Sequence, residues 1–377
     1  MKPETYDILI VGGGPVGAAL ARAVRGPGVA LLAPPRPTQQ APGRAFDTRT
    51  YALSPGNVQF LRDIGAWQAI DPQRLAPVRA MRVFGDDGAA SIEFDAYRAG
   101  VPELAWIVED ATLQAALWQG LDAIASENIE IAFADEGVSV SPGLKSRLVV
   151  GADGANSLVR RAAGIAAAES DYGQSAVVAN FACERPHRGT AWQWFQRGPV
   201  LALLPLPGRQ VSMVWSLPTA EAERVLRLAP AALCREVEAA SRGALGGLDC
   251  TGAARSFPLR RLAARKLVAP RVALAGDAGH VVHPLAGQGL NLGLQDARAL
   301  AAVLAARGAR DPGELRLLRR YERARAEPLL AMNIAIGGLF TLFKGESELA
   351  ARLRNAGLNL TDRVPVLKNV LMRHAMS

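Results

Sequence analysis

The chain has 377 residues, half of them hydrophobic and 21% charged, a balance that excludes a disordered chain and allows a large core over two or three domains. Lys and Arg outnumber Asp and Glu by 43 to 35, and 13 basic against 7 acidic residues fall after residue 300. No basic–aromatic stripe or nucleic-acid module accompanies that charge, so nucleic acid is excluded as a partner, while an anionic membrane surface and a plain solvated face both fit it.

The first residues, Met1-Lys2-Pro3-Glu4-Thr5, hold no apolar signal core. Residues 6–11 are a near-continuous apolar run, suited to a buried parallel strand. Gly12-Gly13-Gly14-Pro15-Val16-Gly17 follows at once, then a helical stretch over 18–24. Gly-x-Gly-x-x-Gly between a strand and a helix predicts a dinucleotide site. Gly12 makes the tight turn, Gly14 lets a pyrophosphate approach, and Gly17 lets the helix pack on the strand. The next strand, 29–32, ends at Ala33, where such a site usually carries an acid bonded to the adenosine ribose. Pro34-Pro35-Arg36-Pro37 follow, and no carboxylate stands nearby. One lost charge-assisted hydrogen bond costs about 1.5–3 kcal/mol, or roughly tenfold to a hundredfold in affinity.

Asp47-Thr48-Arg49-Thr50-Tyr51-Ala52-Leu53-Ser54 leads into an amphipathic helix over 55–64. Residues 78–107 alternate in places around Gly85-Asp86-Asp87-Gly88, a hairpin signal, and predict strands of a second, sheet-based domain. Trp106-Ile107-Val108-Glu109-Asp110 then opens a helix expected over 111–125. The apolar strand 147–150 runs into Gly151-Ala152-Asp153-Gly154-Ala155-Asn156-Ser157, where Asp153 can form an Asx turn capping a helix over 157–163. Further strands are predicted at 176–181, 190–196, 200–204 and 210–215. Trp192, Trp194, Phe195 and Trp215 concentrate on them, and suit either a packed core or the wall of an apolar pocket. A helix over 219–241 and a returning strand over 256–259 complete this stretch.

Residues 272–275 predict a buried strand with Gly276-Asp277 at its exit. The loop His283-Pro284-Leu285-Ala286-Gly287-Gln288-Gly289 has unusual backbone freedom, and from Leu290 the apolar spacing is helical. A glycine loop opening a helix aims free N–H groups and the positive dipole end at whatever lies in front. Asp277 can accept hydrogen bonds from sugar hydroxyls. The stretch suits a ligand with polyhydroxyl and anionic character, or else a simple turn with a solvated Asp. Helices are predicted over 296–306, 314–343, 346–355 and 366–374; the apolar run 329–343 is too short to span a bilayer. Cys183, Cys234 and Cys250 suggest neither disulfides nor a metal knuckle, and His280 and His283 lack clustered partners, so no metal is expected.

At these residues the chain resembles the FAD-dependent monooxygenases that hydroxylate aromatic rings, in particular the branch acting on ubiquinone precursors. Gly276-Asp277, the loop from His283 to Asn291, the 47–54 segment, Asp153-Gly154 and Arg319-Arg320-Tyr321-Glu322-Arg323-Ala324-Arg325 carry the likeness. It implies an α/β fold: a discontinuous Rossmann-like FAD-binding domain (1–77, 108–171 and 259–306), an inserted sheet-based substrate domain (78–107 and 172–258) and a helical C-terminal region (307–377). It implies FAD held by Gly12, Gly14, Pro15, Val16, Gly17, Arg49, Asp153, Gly154, Asp277, Gly287, Gln288, Gly289, Leu290 and Asn291. The loop backbone at Pro284, Gly287 and Gln288 would face the flavin, with no titrating side chain assigned to catalysis. With one dinucleotide fingerprint, NAD(P)H would dock transiently to reduce the flavin. The resemblance further implies hydroxylation of an apolar polyprenyl phenol by O2 through a flavin C4a-hydroperoxide. The protein would be cytoplasmic or peripheral at the inner face of the membrane, with that surface or other quinone-biosynthesis proteins as further partners. Ala33 and Ala111 depart from the family, which has an acid and an Arg there. Two alternatives stay open: a hydroxylase of a soluble aromatic, and a non-catalytic scaffold with weakened FAD binding.

Overall fold

The computed structural model describes residues 4–344 except 27, 35–44, 86–90, 123, 126–129, 135–136, 141–142, 197 and 284–287. One sheet grows from strand Glu4–Val11, flanked in parallel by Leu144–Gly151 and Val29–Ala33. Val272–Leu274 adds beyond Leu144–Gly151, again in parallel. Ile8 and Ile10 pack into one buried cluster with Leu20, Leu294 and Leu300; Leu9 and Val11 pack into another with Val149, Val159 and Leu274. Burial on both faces is why these strands read as unbroken apolar runs. The register sets Val11 beside Gly151, and Gly151 beside Leu274. Three loops therefore leave the same carboxyl edge side by side: Gly12 to Gly17, Ala152 to Gly154, and Gly276-Asp277. That edge is where open α/β sheets bind ligands.

The second sheet runs Ser91–Asp95, Ala80–Phe84, Thr190–Phe195, Val200–Leu206, Gln210–Pro218, Ala167–Cys183, Arg255–Ala264 and His280–Val281 in spatial order. A small third sheet pairs Ala105–Glu109 with Thr50–Leu53 and Ala76–Val78. Helix Gln288–Ala305 packs on helix Pro15–Ala23, and the long helix Leu315–Lys344, with Pro328 inside it, packs on Gln288–Ala305. The predicted helices over 346–355 and 366–374 lie outside the described residues.

Several expectations are corrected. The helix expected over 111–125 is Asp110–Trp118, and Ile124–Ala125 joins the first sheet as a strand. The helix expected over 219–241 is two, Thr219–Leu226 and Pro230–Ala240. Pro230 cannot donate to the preceding turn, so it starts a new helix at its first position. Trp192, Trp194 and Trp215 take the core option: they pack with Leu233, Cys234 and Val237 under those two helices, on the sheet's outer face. Phe195 alone of the four turns inward, against Val83, Ile92, Val200, Val282 and Leu292.

Candidate active site

Gly12 takes φ +113°, and a side chain there would collide with the Ala152 carbonyl. A side chain at Gly17 would strike the carbonyl of Gly12. By contrast a Cβ on Gly14 would meet nothing within 4 Å, so the loop opens onto free space at its centre. Pro15 begins the helix and Val16 packs toward Gly276 and Gly293, so glycines on two elements close around one valine. Asp153 accepts from the Leu158 and Val159 amides at 2.7 and 3.2 Å. It thus caps the short helix behind the loop from five and six residues upstream, not through an Asx turn, with Ser157 as the N-cap, while Gly154 turns at φ +81°.

Asp277 follows Gly276 (φ +62°) in a tight turn, its side chain open to the cleft and hemmed in by protein elsewhere. Burial drives its carboxyl above the usual range; His280 and Arg49 pull it back, and Asp296 adds to the rise. The turn hangs on a buried network that the sequence reading missed. Asp296 accepts from the Gly276 amide at 2.8 Å, meets His280 Nε2 at 2.6 Å, and accepts from Arg325 Nε at 2.6 Å. Burial alone would raise the Asp296 carboxyl, yet His280, Arg325 and the amide hold it low. Arg325 belongs to the quoted Arg-Tyr-Glu-x-x-Arg run, and in the same run Tyr321 donates to the Leu274 carbonyl at 2.7 Å.

Arg49 projects from the opposite wall, within electrostatic reach of Asp110 and Asp277. Its segment is pinned by Glu109, which is 1% exposed. Glu109 accepts the Asp47 amide at 2.5 Å, both arms of Arg74 at 2.6 and 2.7 Å, and the Thr112 hydroxyl at 3.2 Å. Tyr51 donates to Asp110 at 2.8 Å.

The helix expected from Leu290 is described from Gln288, so the amides of Gln288, Gly289 and Leu290 lie in its first described turn. Asn291 is buried and ties this helix down. It accepts from the Ser54 amide and the Asn57 side chain, both at 2.9 Å, and donates to Ala52 at 2.8 Å. Its side chain is thus committed to the protein, and its backbone carbonyl also accepts from the Asn57 side chain at 3.2 Å. Pro284 and Gly287 lie outside the described residues. His283 is buried, 3.1 Å from Gln174 and edge-on to Tyr172, and burial lowers its pKa to about 4. Ala111 is exposed at the first turn of its helix.

The second sheet roofs the cleft and is anchored at two places. Asn180 donates to the carbonyls of Phe46 and Asp47, and Ser212 meets Thr50 at 3.0 Å. At the other end Phe195 and Val200 sit on Val282 and Leu292. Between these anchors the paired Ala202 and Val214 stay half-buried on the inner face.

A sequence profile for the family described as FAD binding domain matches residues 5–332. The chain is 33% identical to the 3-demethoxyubiquinol 3-hydroxylase of Escherichia coli (strain K12) over 393 residues, the alignment covering all of both proteins. It is 34% identical to the ubiquinone hydroxylase UbiL of Rhodospirillum rubrum, covering 99% of this chain and 90% of that one. The chain belongs to this family of FAD-dependent aromatic-ring hydroxylases. Its fold matches that of Pseudomonas aeruginosa PqsL in complex with 2-aminobenzoylacetate, with a TM-score of 0.77 at 24% identity, over 94% of this chain and 99% of that one. FAD is the family's cofactor, and the residues present fit it. The glycine cradle admits no side chains at Gly12 and Gly17 and opens at Gly14, and Asp277 offers a carboxylate to the same cleft. Among the described residues no helix is long and apolar enough to cross a membrane.

Proposed function

We propose that this protein hydroxylates the aromatic ring of a polyprenyl phenol on the route to ubiquinone, with O2 as co-substrate and NAD(P)H as transient reductant. The observation that carries this reading is the cleft itself: three cofactor-type loops at one sheet edge, roofed by the small apolar pair Ala202 and Val214. Bound FAD supplies the reduction and activation of O2. Gly12, Gly14, Pro15, Val16, Gly17 and Arg49 hold the diphosphate, with Asp153 and Gly154 supporting the loop from behind. Asp277 takes the ribityl hydroxyls. The amides of Gln288, Gly289 and Leu290, at the positive end of an 18-residue helix, would face the anionic edge of the flavin, with Pro284, Gly287 and Asn291 as further cofactor contacts in this reading. Ala202 and Val214 hold the substrate ring and exclude water.

In this reading residues 1–77, 108–171 and 259–306 serve the cofactor and 78–107 and 172–258 the substrate, while the C-terminal region from 307 contributes the helix Leu315–Lys344. Leu330 and Ile334, 61% and 65% exposed on one side of the long helix, support contact with a polyprenyl tail or an anionic membrane surface beside the basic C-terminal region. The protein works in the cytoplasm at that surface. The test is NAD(P)H oxidation by the FAD-loaded protein, with product mass. A short-chain prenyl phenol should accelerate oxidation and gain one oxygen atom. Acceleration by free phenol but not by its prenylated form would make the substrate a soluble aromatic instead.

A further inference from the structure

Ala33 ends strand Val29–Ala33 at the position where a dinucleotide fold places its ribose-binding acid, and it is 1% exposed. The space beside it is filled from another element. Trp118, the last residue of helix Asp110–Trp118, donates from Nε1 to the Gly13 carbonyl at 2.9 Å. A methyl carbon built on Gly13 would stand 2.5 Å from the indole ring and 2.8 Å from the Ala33 Cβ. Gly13, Ala33 and Trp118 therefore meet at one point. The end of the helix that carries Trp118 is tied to the helix after the glycine loop: Arg22 of that helix donates to the Gln119 carbonyl at 2.6 Å and the Ile64 carbonyl at 3.0 Å. Trp118 is half-buried, packed against the core beside this loop.

From this geometry we infer that Trp118 replaces the absent carboxylate as the adenosine-side element of the FAD site. It offers the nucleoside an apolar plane where the fold usually offers a hydrogen-bonding acid, and its bond to the Gly13 carbonyl sets the position of the indole. The small side chain at position 33 is then a requirement of the indole, because a longer one would compete with Trp118 for the same volume. Aromatic planes hold bases by stacking without reading hydroxyls.

The inference rests on FAD occupying the glycine loop, and its test separates the two. Apoprotein is titrated with FAD and with FMN, which lacks the adenosine half. FAD uptake by the unaltered protein is the control; its failure would overturn the FAD assignment, and Trp118's role with it. Trp118→Leu should weaken FAD about tenfold and leave FMN within about twofold. Ala33→Glu alone should weaken FAD, and adding Trp118→Ala to it should restore binding by making room for the acid. Trp118→Phe keeps the plane without the donor, and is the variant to read if Trp118→Leu does not fold; it should show a smaller loss, again confined to FAD. Equal losses for FAD and FMN, no loss at all, or tighter FAD binding by Ala33→Glu alone would each overturn the role of Trp118.

Discussion

Two side chains at the cleft carry sharp expectations. The proposed function has Asp277 bond ribityl hydroxyls, and losing a charge-assisted hydrogen bond costs about 1.5–3 kcal/mol. Asp277→Ala should weaken FAD roughly tenfold to a hundredfold in a fluorescence titration; an unchanged Kd would remove Asp277 from the site. His283 has the opposite relation to charge. Burial lowers its pKa to about 4, against about 6.5 in an unfolded chain. The folded state resists a proton that the unfolded chain accepts, so stability is full above about pH 6.5 and falls as pH drops toward about 4. The loss is on the order of 3 kcal/mol. Urea unfolding of the wild type and His283→Gln between pH 7.5 and 4.5 should show the wild type losing more; parallel curves would mean His283 is already charged or solvated when folded.

Elements built by local rules were legible and those built by packing were not. The glycine loop and the Gly276-Asp277 turn could be read because a few adjacent residues dictate each backbone. The His280–Asp296–Arg325 network could not, because Asp296 and Arg325 stand 29 residues apart on two helices and meet only when those helices pack. Helix charges in a sequence look like a solvated face. Here Arg325 is 4% exposed and Asp296 fully buried. Removing one partner of such a pair leaves an uncompensated buried charge and costs about 3–5 kcal/mol. Arg325→Leu should therefore lower the unfolding free energy by that amount, and loosen FAD because the Asp277 turn hangs on Asp296. Adding Asp296→Asn should cost less than the sum of the two single changes, since both break one network. Strict additivity in the urea midpoints would deny the coupling.

At the scale of the whole molecule, one sheet carries the glycine loop and the Asp277 turn and the other roofs the cleft, and the sequence showed the second sheet better than its orientation. Alternation marks two faces of a strand, but only the partner layers decide which is inner. The tryptophans drew attention to the face that turned out to be the outer one, covered by Thr219–Leu226 and Pro230–Ala240. The inner face is quieter: Asn180, Ser212 and Phe195 anchor it, and Ala202 and Val214 leave the gap between. That division makes binding of cofactor and substrate separable. Ala202→Phe adds a ring to the gap while touching none of the three cofactor loops. It should leave FAD affinity within about twofold and raise the KM for a prenylated phenol roughly fivefold to a hundredfold, since overpacking costs about 1–3 kcal/mol. Titration with FAD and steady-state NAD(P)H oxidation on one preparation would measure both. If FAD affinity fell with the KM unchanged, the substrate would lie elsewhere than beneath Ala202, and the inner face would be a cofactor wall.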